Sequence, residues 1–419
     1  MLSGRRSSAV LSVISIFALS SFGSSASARE LRVGKDAPSV AETVALAEAG
    51  DVVLLPKGTW RGNIVIDKKI TLRGQGGVLD GGGKGTVLQV DAAGAIIEDL
   101  TVRGSGKDLA KNEACVLFTK DARAATIRRV RVEDCAFGIY IDRAQKAKIL
   151  DNRVVGTLEG HRSNRGNGIH LFNARYLLVK GNHVTGGRDG IYVSVTEDSL
   201  IENNKVSDSR YCVHYMFAYR NKLIGNTCLR NSEGYALMQS RNIVVKNNVA
   251  LDNEGRGLLF RDATLCTIVG NRMERNGEGM FFYSSTENLI AHNIVRNNRV
   301  GVRVWAGSLR NEVRDNRFIA NQTQIFFVGS KDIIWGKKGR GNYWSDYLGW
   351  DQDGDGLGDR PYRVGSFQTA LVARFPAAAL LMRSPALELI SLLETRMPLL
   401  RTPTIVDRRP LMGKDKGSP

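Results

Sequence analysis

The sequence predicts an all-β protein, a right-handed parallel β-helix whose coils are about 22 residues long. Three observations predict it: a recurring Asn, a recurring Gly-apolar pair in phase with it, and a long stretch without proline. The Asn recurs at steps of 30, 22, 22, 22, 23, 22 and 23 residues, at Asn152, Asn182, Asn204, Asn226, Asn248, Asn271, Asn293 and Asn316. A fixed period of this length, with no helical spacing, is typical of a solenoid.

Short runs of alternating apolar and polar residues between these marks predict strands. Stacked strands about 4.8 Å apart bury a continuous core of inward side chains. Asn tolerates the left-handed conformation of a corner, and stacked Asn amides can hydrogen-bond from coil to coil. No proline lies between Pro56 and Pro361, as a long parallel sheet requires. The Gly that precedes an inward apolar residue recurs at Gly138, Gly168, Gly190, Gly234, Gly257, Gly279 and Gly301.

The sequence divides the chain into five segments. They are a signal peptide at 1–28, an N-terminal cap at 29–50, the β-helix at 51–340, an Asp/Gly-rich closing segment at 341–375 and a C-terminal tail at 376–419. In the cap, Ser39 with Glu42 three residues later predicts a capping box at the start of a short helix that covers the first coil.

The N-terminus predicts export. Arg5 and Arg6 precede an apolar run from Ala9 to Phe22, and Ala26-Ser27-Ala28 suits signal cleavage. The formal charge of +17 would suggest nucleic acid in a cytosolic protein, but export excludes that partner. The remaining candidate partners are an acidic protein, an anionic membrane surface and an acidic polysaccharide. The alternative is that the basic residues form only a solvated surface.

The cysteines indicate no disulfide framework. There are five, an odd number without ligand-like spacing: Cys115, Cys135, Cys212, Cys228 and Cys266. Cys228 falls on an inward column and is interpreted as a small core residue. Cys115 and Cys212 stand where other coils have the corner Gly.

One outward strand face carries the candidate metal ligands. The second residue after each Gly points outward, and the columns there are rich in aromatic residues, Met and His where a solvated strand would be polar. His214 and Met216 lie on one strand, and Met238 is expected directly over Met216. An imidazole and two thioethers within about 5–7 Å suit a soft ion such as Cu(I). His170, two coils away at about 9–10 Å, could contribute only if the chain bends.

A packing role for these side chains, under the insert or against a partner, is the alternative interpretation. The insert is the 30-residue step, Gly156 to Asn167, and it carries His161, Arg162 and Arg165. Inserted loops beside a binding face often carry function.

The closing segment contains a second candidate metal site. Carboxylates alternate with Gly at Asp351, Asp353, Asp355 and Asp359, which resembles the first part of a calcium loop. Tyr362 stands where an EF-hand has its closing Glu, so a hydrogen-bonded turn is the alternative.

The closing segment begins Gly341-Asn342-Tyr343-Trp344 and continues with the Asp/Gly run. This segment, the signal peptide, the N-terminal lid and the 22-residue coils together resemble the NosD family. The resemblance covers nearly the whole mature chain. It implies a periplasmic β-helix protein that takes part in copper delivery to nitrous oxide reductase, with no catalytic residues of its own. It further implies a periplasmic copper donor, an ABC-type ATPase and a membrane permease as partners.

Two other functions compete with this one. Polysaccharide lyases and epimerases share such coils, but they need clustered Asp or a general base beside Arg or Lys, and the predicted strand faces lack this. A surface adhesin is the third possibility. The tail has apolar residues at helical spacing between five prolines and several arginines, which suits either a cap for the last coil or docking on a membrane subunit.

Overall fold

The computed structural model is a parallel β-helix, so the predicted fold class is confirmed. It describes residues 28–158, 160–305, 307–328, 333–337, 339–364, 375, 381, 384–386, 389–390, 393 and 405–413. The signal peptide, apart from residue 28, and most of the tail therefore lie outside the described residues.

Three parallel sheets run along the coils. The first, called face A, contains twelve strands: Ile64–Ile66, Leu88–Val90, Ala114–Phe118, Phe137–Asp142, Ile169–Phe172, Asp189–Ser194, Tyr211–Met216, Glu233–Met238, Arg256–Arg261, Glu278–Tyr283, Val300–Val304 and Thr323–Phe327.

The second sheet, face B, follows face A along the chain. Its strands are Ile96–Glu98, Thr126–Arg128, Lys148–Leu150, Leu178–Lys180, Leu200–Glu202, Lys222–Ile224, Val244–Lys246, Thr267–Val269, Leu289–Ala291, Glu312–Arg314 and Ile334–Trp335.

The third sheet, face C, completes each coil. Its strands are Thr101–Arg103, Arg131–Glu133, Arg153–Val155, His183–Thr185, Lys205–Ser207, Thr227–Leu229, Val249–Leu251, Arg272–Glu274, Ile294–Arg296, Arg317–Ile319 and Tyr343–Trp344. At the N-terminal end, faces B and C join through Glu30–Arg32, Val52–Arg61 and Thr71–Asp80.

The core is a set of inward columns with one residue per coil. On face B, Ile201, Leu223 and Val245 are stacked in register and fully buried. The apolar residue after each corner Gly is likewise buried. The Gly itself is required by close packing, because a Cβ on Gly190 would lie 2.2 Å from Cγ1 of Val206 on face C.

The recurring Asn residues form one hydrogen-bonded ladder inside the stack. From Asn152 to Asn342 each amide Nδ2 donates to Oδ1 of the next Asn, over 2.8–3.0 Å. Each Nδ2 also donates to a backbone carbonyl of the preceding coil, as Asn226 does to Ile201 at 2.9 Å. The left-handed corner was predicted at the Asn, but it lies one residue earlier, at Asn203, Gly225 or Asn247.

Both ends of the stack are covered. The helix Val40–Leu46 begins at the predicted capping box, in which the Ser39 hydroxyl accepts the N–H of Glu42 and the Glu42 carboxylate accepts the N–H of Ser39. At the other end, Tyr362–Val364 pairs antiparallel with Ile405–Asp407. The buried carboxylate of Asp407 accepts the backbone and side-chain N–H groups of Asn342, which ends the ladder.

The prediction of no disulfides is wrong. Cys115 bonds to Cys135 and Cys212 bonds to Cys228, each with a Cα–Cα distance of 5.6 Å, and Cys266 is free and buried. For Cys212–Cys228 the physical reason is visible in the coil. A side chain at the corner Gly position points at the inward column of face C sixteen residues later, as Gly190 points at Val206, and Cys212 points in the same way at Cys228.

The ladder generates a stability prediction. Asn226→Asp replaces an amide that donates to Ile201, Ile224 and Asn248 with a buried carboxylate that cannot donate. We expect a loss of about 3 kcal/mol or more in the free energy of unfolding. The matched control is Asn247→Asp at the adjacent exposed corner. Urea unfolding that gives equal stabilities for the two variants would contradict the structural role of the ladder.

Candidate functional site

The predicted outward columns of face A are in register as expected, but their central part is buried rather than exposed. His170, Tyr192 and His214 are successive partners in the ladder. His170 is 8% and His214 6% exposed. The expected exposure is therefore wrong, because large rings in successive coils cover one another. Ring centroids lie 4.9 Å apart between His170 and Tyr192 and 5.0 Å apart between Tyr192 and His214.

His214 is held by a carboxylate on the neighbouring coil. Its Nδ1 lies 3.0 Å from Oδ2 of Asp189, which is fully buried. Arg210 donates to both oxygens of the same carboxylate, at 2.9 and 3.0 Å. Burial alone would raise the pKa of Asp189, but the hydrogen bonds from His214 and Arg210 outweigh it and lower that pKa. The carboxylate is therefore ionised and Nδ1 carries the donated proton.

The other nitrogen of His214 is left without a partner. Nε2 is buried and makes no hydrogen bond to any described residue. The ring packs between Tyr192 and Tyr211, whose centroid is 4.6 Å away. Nε2 is therefore the candidate metal-binding nitrogen of His214.

Two thioethers lie on the same face. Met216 is two residues from His214, and Met238 is its direct partner on the next strand. Met238 is buried with Ala236 and Leu259, while Met216 packs against this cluster and stays half-exposed. The predicted set of His214, Met216 and Met238 thus occupies two neighbouring coils, with Met216 as its most accessible member.

His170 belongs to a separate aromatic cluster. Its ring lies 4.4 Å from Tyr140 and 5.6 Å from Phe137, and the Tyr192 ring lies between it and His214. Neither ring nitrogen makes a hydrogen bond to a residue that the structure describes. Burial, reinforced by Arg188, lowers the pKa of His170 to about 3, so the ring is neutral.

The insert lies along the edge of face A. It contains the short 3-10 helix Arg162–Asn164. Arg162 reaches across the coils to Ser232 and to both carboxylate oxygens of Glu254, at 3.1 Å each. Arg188 donates its backbone N–H to the carbonyl of Gly166 at the end of the insert. The insert is therefore tied down beside the strands that carry Asp189 and His214.

The pairing of Asp189 with His214 and Arg210 was not predicted from the sequence. It superficially resembles an acid-base group of a carbohydrate enzyme. No part of Asp189 is exposed, and His214 is almost fully covered. A polymeric sugar has no access to these groups in this conformation, so the geometry favours a binding role.

Three of the four predicted calcium ligands come together. Asp351, Asp353 and Asp355 each offer a carboxylate oxygen within 4.8 Å of the others. Asp359 accepts the N–H of Gln352 at 2.7 Å and lies outside this group. The carboxylates also accept backbone N–H groups, such as Gly356 to Asp351 at 2.9 Å.

Two curated relatives decide the family. The chain is 38% identical over 380 residues to a "probable ABC transporter binding protein NosD" of Pseudomonas aeruginosa, covering 87% of this chain and 89% of the relative. A protein of the same description from Stutzerimonas stutzeri is 36% identical over 374 residues, covering 85% and 86%.

The chain belongs to the NosD family. The family profile that matches residues 156–349 is described as "periplasmic copper-binding protein (NosD)". This range contains the insert, Asp189, His214, Met216 and Met238. The description of the family as binding proteins agrees with the expected absence of enzymatic activity.

Solved structures similar to this chain share the fold alone with it. A family 28 exopolygalacturonase of Yersinia enterocolitica has a TM-score of 0.51 at 12% identity, covering 73% of this chain and 78% of the enzyme. The receptor-binding tailspike of bacteriophage Det7 has a TM-score of 0.50 at 12% identity, covering 82% and 81%. Among the residues described, no helix has the length and apolar character to cross a membrane.

The buried imidazole of His170 generates a pH prediction. Its native pKa of about 3 lies below the ordinary 6.5, so the unfolded state binds more protons between these values and stability falls as the pH drops through this window. His170→Phe keeps an aromatic ring without a titrating group. We expect its melting temperature to fall less between pH 6.5 and pH 4 than that of the wild type. The control is His183→Gln at an exposed position. Identical acid-side slopes for wild type and His170→Phe would contradict the burial argument.

Proposed function

We propose that this protein is a periplasmic copper-delivery protein. It receives Cu(I) from a periplasmic copper donor and passes it to apo nitrous oxide reductase for assembly of the copper site. It works with an ABC-type ATPase and a membrane permease and catalyses no bond change itself. The observation that carries the proposal is the register that places Met216 directly beside Met238, next to His214 with its unpartnered Nε2.

The ligand chemistry supports a soft monovalent ion. Thioethers and a neutral imidazole suit Cu(I), whereas carboxylates and water suit harder ions. These ligands carry no charge, so they bind less tightly than thiolates would and allow release. The half-exposed side chain of Met216 offers a route by which copper can enter and leave the otherwise buried cluster.

Membrane association through the permease is the second part of the proposal. The part of the tail that is described, 405–413, closes the last coil through Asp407 and Asn342. Most of residues 376–404 lie outside the described residues, and their apolar residues and arginines are the proposed docking element. Export by the predicted signal peptide removes Arg5 and Arg6, and the net charge of +15 that remains (17 − 2) suits a position at an anionic membrane surface.

The copper proposal predicts the behaviour of a triple variant. We expect His214→Ala, Met216→Ala and Met238→Ala combined to weaken Cu(I) binding by more than the roughly 10- to 100-fold cost of losing one outer partner of a metal ligand. Reductase matured with this variant should lack copper. Competition with a Cu(I) chelator and metal analysis of the reductase are the measurements.

The matched control for this experiment is His183→Ala, an exposed His on face C. It should bind Cu(I) and load the reductase like the wild type. Undiminished binding by the triple variant, with a fully loaded reductase, would make the cluster a packing surface.

We also propose that Asp351, Asp353 and Asp355 hold one Ca²⁺, with Asp359 fixing the turn around it. Hard carboxylate oxygens are the ligands that calcium prefers. Calcium is expected to raise the melting temperature and to protect the closing segment from proteases, and Asp353→Asn should abolish both effects. No response to calcium or to chelator would leave the segment as a hydrogen-bonded turn.

A further inference from the structure

We infer that Asp189 and Arg210 act as a positioning and charge-balancing pair behind His214, so that the site accepts monovalent soft cations, Ag(I) as well as Cu(I), over divalent ions. The inference rests on the proposed function and deepens it. It assigns a role to two residues that the sequence pattern did not single out and that cannot themselves be ligands.

The first step is orientation. His214 can present only one nitrogen to a metal, and the hydrogen bond from Nδ1 to Asp189 at 3.0 Å decides which one. A His that donates one ring N–H to a carboxylate presents the other nitrogen to the metal in a fixed tautomer. Here that nitrogen is Nε2, which is buried and unpartnered.

The second step is that Asp189 is fully engaged elsewhere. Arg210 donates to Oδ1 from Nε and to Oδ2 from Nη2, while His214 donates to Oδ2. Arg188 approaches the same carboxylate at 3.8 Å. With its oxygens occupied and its side chain fully buried, Asp189 can support a ligand but is not one.

The third step is charge. An imidazole and two thioethers add no negative charge to the site, and the carboxylate of Asp189 is compensated by Arg210, with Arg188 3.8 Å away. The site therefore has no net negative charge to offset a second positive charge on the ion. Placing uncompensated charge in a buried site is costly, so a divalent ion is disfavoured relative to a monovalent one.

The packing makes this arrangement testable without unfolding the protein. The His214 ring is held between Tyr192 at 5.0 Å and Tyr211 at 4.6 Å, independently of its hydrogen bond. Arg210 is partly exposed at 28%, so its loss leaves no large cavity. Exchanging both charged groups for amides, Asp189→Asn with Arg210→Gln, keeps shape and removes both charges together.

The experiment compares three proteins with the wild type. Arg210→Gln removes the closer cation and leaves Asp189 with Arg188 at 3.8 Å. The double variant Asp189→Asn/Arg210→Gln restores the wild-type net charge of the site. Arg220→Gln removes an exposed arginine paired with Asp198 and is the control. Dissociation constants for Ag(I) and Zn(II) are measured by calorimetry. The tautomer of His214 is read from ¹⁵N NMR of the metal-free protein, with His214→Ala used for assignment.

We expect Arg210→Gln to shift the ratio of Zn(II) to Ag(I) affinity toward Zn(II) by about tenfold or more, within the range that outer-shell partners usually contribute. The double variant should return this ratio toward the wild-type value but lose the Nδ1–H tautomer and bind Ag(I) more weakly. Arg220→Gln should match the wild type in every measurement.

Two failures are distinguishable. If the wild type binds no Ag(I), or binds it equally well after His214→Ala, the proposed function of the cluster is overturned and this inference falls with it. If Ag(I) binds through His214 but the ratio and the tautomer are unchanged in the variants, the inference alone is overturned.

Discussion

The fold depends on the hydrogen bond between the side chains of successive buried asparagines. Each amide in the column satisfies a backbone carbonyl of the coil before it and the Oδ1 of the Asn after it. A parallel coil has three corners at which the sheet ladder is interrupted, and buried polar groups there must find partners. The Asn column supplies these hydrogen-bond partners at one corner of each coil from Asn152 to Asn342. At the end of the column, the carboxylate of Asp407 accepts the hydrogen bonds of Asn342.

This constraint also creates the candidate site. A ladder that fixes one residue per coil fixes the register of every column around it, including the outward columns of face A. Met216 and Met238 therefore become direct neighbours although 22 residues separate them. The same register brings Asp189 from one coil to His214 on the next, so the candidate metal site and its neighbouring carboxylate come from short strands.

The period of the sequence was sufficient to predict the fold, the inward columns and the pairing of Met216 with Met238. It could not predict burial, because alternation distinguishes inward from outward but not whether rings such as Tyr192 cover their neighbours. It also missed the Cys212–Cys228 bond, although a spacing of sixteen from the Gly position to face C carried that signal. Asp189 was not predicted as part of the site, because acidic residues do not occupy this position of the strand in successive coils.

The most direct test of a His-Met copper site is X-ray absorption spectroscopy of the protein loaded with one equivalent of Cu(I) under reducing conditions. The account predicts a Cu(I) ion whose nearest shell contains two sulfur atoms and one imidazole nitrogen, and loss of the sulfur scattering when Met216 and Met238 are replaced. A shell made only of nitrogen and oxygen, or a sulfur shell that survives both Met replacements, would contradict it.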